Sequence, residues 1–273
     1  MYLCDAYNKR ANPHLPLHRG LWPWRVVAAS VCGTRHEQKG QPCQDTHCWS
    51  VLPERVLVAA VADGSGSAPL GEVGAAIAAR TGMEAIWTHI AQPGRPEDDE
   101  HWKLLLSDAL KAARMAIEVE ATMREVAVRD LATTLILVAA TPEVVSAAQV
   151  GDGSVVVGEP EGNIIALTSP GSGDCINETT FLSASMAVDT AQVTMWRGGV
   201  AHIAVLSDGL QMLALKMPSG VPHVPFFSPL FRFVASATDE RQAQEQLMAF
   251  LRSPRVRQSV DDDLTLLLAT LVK

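Results

Sequence analysis

Long apolar runs are missing from this sequence. No stretch reaches the roughly eighteen residues that a membrane-spanning helix needs, and the longest, around Leu131 to Ala140 and Leu264 to Val272, suit buried strands. Met1 to Arg10 lacks the apolar centre of a signal peptide. Paired cysteines are missing too. Cys4, Cys32, Cys43, Cys48 and Cys175 form an odd set with no C-x-x-C pair, which fits a reduced, cytoplasmic protein without a disulfide framework. His47 lies between Cys43 and Cys48, but no second Cys/His group at ligand spacing joins them, so a zinc site is not expected. An excess of basic residues is likewise absent: 22 Lys and Arg against 30 Asp and Glu leave a net charge of −8. A sequence-independent nucleic-acid binder would carry a basic stripe instead. The glycine-rich stretch from Gly64 to Gly74 has neither G-x-G-x-x-G nor a Gly-Lys-Ser/Thr ending, which argues against a nucleotide loop. Ser207 lies outside any G-x-S-x-G elbow.

What the chain does have is an apolar half and a repeated acidic phrase. Val56 to Gly66 reads as a buried strand running into a glycine-rich turn, with Asp63 where the strand stops. A short apolar run without turn residues suits a strand covered on both faces. The phrase returns at Ile203 to Gly209, ending in Asp208, and in a third form at Ala147 to Gly153, around Asp152. Asp261 to Asp263 open the last apolar run, Leu264 to Leu271.

Periodicity assigns the rest. Strands are expected at Arg25–Cys32, Trp49–Leu52 and, beyond a turn at Pro53, the run into Asp63. Further strands are expected at Ala132–Thr141, Val144–Val150, Val155–Glu159, Asn163–Leu167 and Val260–Val272. Val188–Trp196 and Val200–Leu206 read as a hairpin across Arg197-Gly198-Gly199. Helices are expected at Leu70–Ile90, His101–Val126, Pro225–Thr238 and Asp239–Leu251. Gly33–Asp45 and Ser169–Asn177 read as loops, and Pro218–Pro229, with Phe226 and Phe227, as a flap or a buried loop. Helices come in two groups and strands in blocks, without regular βαβ alternation. The expected class is α+β, with antiparallel sheets covered by helices on their outer faces.

Each acid alone has an ordinary explanation. Asp-Gly is the commonest hairpin signal, Asp208 would cap a helix starting at Leu210, and Asp262 would sit well in a solvated turn. Together they ask for more. Asp63, Asp208 and Asp262 end strongly apolar strands, far apart in sequence, with no Lys or Arg nearby. If those ends converge, their repulsion demands cations. Hard oxygen ligands without His or Cys select Mg²⁺, Mn²⁺ or Ca²⁺. Metal-assisted phosphate hydrolysis is the reaction class such a cluster suits.

The order Gln44-Asp45, Asp63-Gly64, Ala132-Thr133-Thr134, Gly151-Asp152-Gly153, Ser207-Asp208-Gly209 and Asp262-Asp263-Leu264-Thr265 resembles the metal-dependent serine/threonine protein phosphatases of the PP2C type. The resemblance runs from about Ala28 to Leu271. Gly33 to Asp45 and Asn177 to Leu182 look most like a divergent bacterial branch. The resemblance implies a four-layer αββα sandwich, two mostly antiparallel sheets with helix pairs outside, over residues 24–273, with 1–23 as an N-terminal extension. It implies that Asp63 bridges two Mn²⁺ or Mg²⁺ ions, that the Gly64 carbonyl holds one of them, and that Asp208 and Asp262 complete the second. Asp152 would help to hold a third ion, and Asp45 would orient the attacking water. The substrate implied is a phosphorylated protein, a kinase or a kinase target, hydrolysed without a phosphoenzyme.

Three departures stand out. Most members have an Arg five positions before the first acid, where it grips phosphate; Gly40 stands there in this chain. His36, Lys39 and Arg35 are the candidates to replace it. Gln44 stands where an acid is usual, and Ser65-Gly66-Ser67 replaces His-Gly-Gly. The loss of the Arg keeps open a catalytically weak pseudophosphatase acting as a regulatory binding module. A hydrolase of small phosphorylated metabolites is a third reading.

Overall fold

The computed structural model describes residues 24–52, 55–90, 96, 98–170 and 179–272. The N-terminal extension, the turn at Pro53, most of the loops at 92–97 and 169–178, and Cys4 and Cys175 lie outside the described residues.

Two five-stranded antiparallel sheets stack face to face, each with a helix pair on its outer side. The first sheet has the order β2-β3-β4-β5-β8: β2 (Asp45–Leu52), β3 (Val56–Asp63), β4 (Leu135–Ala140), β5 (Val144–Val150) and β8 (Gln192–Arg197). The second runs β1-β12-β9-β6-β7: β1 (Trp24–Val31), β12 (Leu264–Leu271), β9 (His202–Leu206), β6 (Ser154–Gly158) and β7 (Ile164–Ala166). A two-stranded ribbon, β10 (Leu215–Lys216) with β11 (Val221–Pro222), lies beside them. The helices are α1 (Thr34–Lys39), α2 (Gly71–Ile90), α3 (Asp99–Arg124), α4 (Val224–Ser236) and α5 (Glu240–Leu251), with single turns at Gln211–Ala214 and Pro254–Arg257.

Three apolar layers explain why the central strands are apolar without alternation. In β3, Val58, Ala60 and Ala62 pack toward α2 and α3, beside Leu106, Leu110 and Ile117. Leu57, Ala59 and Val61 face the other sheet, where Val155, Ile203, Val205 and Leu267 meet them. On the far side, Phe227, Phe231, Leu247 and Leu251 of α4 and α5 cover Val27, Ala204, Leu266 and Leu268. A strand buried on both faces has no polar position until it leaves the sandwich, so its first carboxylate marks the exit.

Most expected elements stand within a few residues of their sequence positions, and α3 starts where the Asp98 side chain accepts from the His101 amide. Two expectations are corrected. Val188–Trp196 and Val200–Leu206 do not form a hairpin: β8 pairs with β5 in one sheet, β9 lies between β12 and β6 in the other, and Arg197 to Ala201 crosses between them. The Gly198 and Val200 amides bond to the Glu143 and Pro142 carbonyls of the β4–β5 turn. That turn takes the hydrogen bonds a hairpin would have closed. Gly33–Asp45 is not all loop either, since α1 occupies its middle and ends on Gly40 in the left-handed region (φ 64°). Six residues are too few for a periodic signal to appear. In the Pro218–Pro229 segment, Phe227 is fully buried in the first turn of α4. Among the described residues no helix is long and apolar enough to cross a membrane.

Candidate active site

One edge of the sandwich gathers the acids. Asp45 opens β2 and Asp63 closes β3, and the two are direct cross-strand partners. β9 ends at Leu206, so Asp208 follows it at the same edge, in the 3-10 turn Asp208–Leu210; Ser207, not Asp208, takes the N-cap position of that turn. Asp262 and Asp263 precede β12, whose first residues pair with the ends of β1 and β9. Asp152 lies in the turn by which the chain passes from β5 to β6, that is, from one sheet to the other. The loops approach so closely that only glycine fits at several positions. A β-carbon at Gly33 would collide with the Asp262 carbonyl carbon, and one at Gly209 with the Asp263 carbonyl oxygen.

Backbone and hydroxyl groups hold the carboxylates in place. The Asp63 carbonyl accepts from the Thr134 amide at 2.8 Å and from Thr133 Oγ1 at 2.9 Å, while the Asp63 amide donates to Thr134 Oγ1 at 3.1 Å. This is the local reason for the Ala132-Thr133-Thr134 phrase. Ser207 pins the two sheets together: its Oγ donates to Asp45 Oδ2 at 2.7 Å and accepts from the Thr265 amide at 2.9 Å. Thr265 Oγ1 in turn lies 2.6 Å from Ser30 Oγ, which lies 2.9 Å from His47 Nδ1. Thr179 Oγ1 donates to Asp152 Oδ2 at 2.5 Å, and the Gln211 side-chain amide donates to the Asp152 carbonyl.

The electrostatics are those of a crowded, desolvated acid cluster. Burial raises Asp45 to about 8, against the opposing effect of the Ser207 bond; the charges of Asp263 and Asp208 push the same way as burial. Burial also raises Asp208, to about 6, and the charge of Asp152 pushes the same way. Asp63 is driven well above the ordinary carboxylate range by burial and by the charges of Asp45 and Asp208. Among the described residues none of Asp45, Asp63, Asp152, Asp208 or Asp262 is ion-paired with Lys or Arg. No three Asp, Glu, His or Cys side chains among the described residues already meet at one point. Two buried carboxylate oxygens, Asp45 Oδ1 and Asp208 Oδ1, have no hydrogen-bond partner among the described residues. Orphaned anionic oxygens in an all-oxygen donor set match a hard divalent cation.

The positive residues are placed as follows. Lys39 and Arg35 are exposed on α1. His36 is buried, with Nδ1 2.9 Å from Asp263 Oδ2. Gly40 is the left-handed cap of α1, a conformation in which an arginine would cost about 1–2 kcal/mol. Gln44 is buried, its backbone carbonyl accepts from the Gly64 amide at 3.1 Å, and its Oε1 has no partner among the described residues. Cys43 and Cys48 are buried, and burial raises the Cys43 thiol far above its ordinary value. Two residues of the site escaped the sequence reading: Ser207, set aside as a serine nucleophile, and Asp263, indistinguishable from Asp262 within a run of three acids.

Five chain segments thus bring acids to one edge of the sandwich, and sequence comparison identifies the family. The profile of the protein phosphatase 2C family matches residues 32–252, and the chain belongs to that family. It is 36% identical over 252 residues to serine/threonine-protein phosphatase 3 of Escherichia coli (strain K12), covering 90% of this chain and 98% of that protein. Among solved structures it is similar to the serine/threonine phosphatase Stp1 of Staphylococcus aureus, with a TM-score of 0.61 and 14% identity over 91% of this chain and 95% of that one. It is also similar to the catalytic domain of the serine/threonine protein phosphatase PstP in complex with two manganese ions, with a TM-score of 0.60 and 17% identity over 92% and 99%. The αββα fold expected from the motifs is the fold observed.

Proposed function

We propose that this chain is a divalent-metal-dependent phosphatase that hydrolyses phosphoserine and phosphothreonine in proteins. The observation that carries the reading is the convergence of Asp45, Asp63, Asp208 and Asp262 on one edge, with buried oxygens of two of them left without partners. Family membership supports it, as does the 36% identity to a serine/threonine-protein phosphatase.

Asp63, the Gly64 carbonyl, Asp208 and Asp262 would hold Mn²⁺ or Mg²⁺, with Asp152 beside Asp208 for a further ion. When bound, such ions neutralise the phosphoryl charge and acidify a water. The chain's own residues do the rest. Asp45, held at Oδ2 by Ser207, turns its free Oδ1 to a water and orients it. His36 and Lys39 are the positive side chains for the phosphate, now that Gly40 stands where an Arg is usual. The substrate is a phosphorylated protein, a kinase or a kinase target, met in the cytoplasm by the domain 24–273, with residues 1–23 as an appendage. A regulatory module without turnover would have no use for the full set of acids, and no observation favours it.

The test is turnover of a phosphothreonine peptide, p-nitrophenyl phosphate and a sugar phosphate with Mn²⁺. Peptide hydrolysis abolished by EDTA and by Asp63→Asn is expected. A wild-type chain that binds Mn²⁺ and hydrolyses none of the three would establish the binding module. One that prefers the sugar phosphate would move the substrate to small metabolites.

A further inference from the structure

Asp263 is 2% exposed and accepts three hydrogen bonds, two from the α1 segment and one from the start of the stretch that leads into β2. The Gly33 amide donates to Oδ1 at 2.6 Å, the Gln44 amide to Oδ2 at 2.6 Å, and His36 Nδ1 lies 2.9 Å from Oδ2. α1 is docked on the same segment by further contacts: the Arg35 amide bonds to the Asp261 carbonyl at 3.0 Å, and Arg257 grips Glu37 through two nitrogens at 2.8 and 3.1 Å. A carboxylate so engaged fixes which ring nitrogen of His36 it meets. The other nitrogen, Nε2, has no partner among the described residues. It points toward Gly66, where a β-carbon would stand 3.6 Å from Nε2 and 3.8 Å from Gln44 Oε1. Gly66 is exposed and lies three residues beyond Asp63, while Gln44 precedes Asp45. Thus two polar groups without partners flank a bare stretch of backbone at the rim of the acid cluster.

We propose that Asp263 is a positioning residue and that His36 is what it positions: Asp263 holds Nδ1–H of the imidazolium, so that Nε2–H faces the substrate beside Gly66 and donates to a phosphoryl oxygen. This rests on the phosphatase reading and sharpens it, because it assigns the phosphate contact to His36 over Lys39. The plain alternative is a structural tether in which His36 merely satisfies a buried carboxylate. Both roles need Nδ1, and only the first needs Nε2.

The full-length chain separates them. In His36→Asn the amide nitrogen can replace Nδ1 and keep the Asp263 bond, while Nε2 disappears. Melting temperature and Mn²⁺ affinity should stay at wild-type values while KM for a phosphothreonine peptide rises tenfold or more. Asp263→Asn should also raise KM about tenfold, and in the His36→Asn background it should raise KM by less than twofold, since the two act through one contact. A KM within twofold of wild type for His36→Asn, or independent effects of the two changes, overturns the proposal. Should Asp263→Asn fail to fold, ring ¹⁵N spectra of the wild-type protein with Mg²⁺ decide. Nδ1 should carry the proton tied to Asp263, and the Nε2 resonance should shift when inorganic phosphate is added; an Nε2 that ignores phosphate is the contrary result. A wild-type chain without phosphopeptide turnover overturns both this proposal and the reading beneath it, whereas active wild type with an unaffected His36→Asn removes this proposal alone.

Discussion

Asp45 and Asp63 stand directly opposite each other across the β2–β3 ladder, two carboxylates at the one register position where a hydrophobic hairpin leaves the core. Like charges in direct cross-strand register destabilise a sheet, and here both are also desolvated. The metal-free chain therefore bears a local cost that a cation would relieve. At alkaline pH, where the pair ionises, Asp63→Asn should stabilise the metal-free protein by about 0.5–1 kcal/mol, seen as a melting temperature a few degrees higher in EDTA, while phosphopeptide kcat falls at least a hundredfold. A variant that melts lower than wild type in EDTA would contradict the strain, and one that keeps its activity would remove Asp63 from the chemistry.

Protons compete with cations for the cluster, and the sign of the pH effect follows. Asp45 sits near 8, Asp208 near 6, and Asp63 well above its ordinary value, whereas unfolded aspartates titrate at about 3.9. Between these limits the folded metal-free chain binds more protons than the unfolded one, so its stability falls as pH rises from about 4 to about 8. Melting in EDTA should therefore drop from pH 5 to pH 8. Mn²⁺ binding should strengthen over pH 6 to 8 and release protons measurable by calorimetry in buffers of different ionisation heat. A melting temperature that climbs over this range in EDTA would reverse the sign and refute the account.

Ser207 is a load shared between the sheets. Its hydroxyl donates to Asp45 and accepts from the Thr265 amide, both at hydrogen-bond distance and away from water. Ser207→Ala strands both partners, which should cost about 1–3 kcal/mol of stability and lower kcat more than it raises KM. Ser207→Thr keeps a hydroxyl there and should recover most of the rate. If alanine leaves both stability and kcat at wild-type values, the bond does not orient Asp45.

Two glycines of the same loop separate close approach from backbone conformation. At Gly33 a β-carbon meets the Asp262 backbone, so Gly33→Ala must shift an acid-bearing loop; about 1–3 kcal/mol is expected, together with weakened Mn²⁺ binding. At Gly40 nothing lies within 4 Å, but φ is +64°, so Gly40→Ala should cost about 1–2 kcal/mol and leave Mn²⁺ affinity unchanged. Chemical melts and Mn²⁺ titrations of both variants test this, and equal loss of Mn²⁺ affinity in both would contradict it.

Much of this was legible in the sequence because burial on both faces turns β3, β4, β9 and β12 into uninterrupted apolar runs, and an acid at the end of such a run is conspicuous. Asp63, Asp208 and Asp262 could be found in that way, and Asp152 from the likeness of Gly151-Asp152-Gly153 to their phrase. What stayed hidden depends on long-range placement. The sequence around Arg197 to Ala201 is the same whether the chain turns back into a hairpin or crosses to the other sheet; only the bonds to Pro142 and Glu143 decide. α1 is too short to reveal a period. His36 looked like one of several loop cations, and its tether is Asp263, 227 residues away. Within the run Asp261-Asp262-Asp263, nothing local tells the residue that turns inward to three N–H groups from its neighbours.

The central claim is that carboxylates from distant chain segments share one cation-holding site. An anomalous-scattering map from a crystal grown with Mn²⁺ measures it most directly. The account predicts manganese peaks on the sandwich edge, ligated by Asp63, Asp208 and Asp262; peaks elsewhere, or none at this edge with the site accessible to solvent, would contradict it.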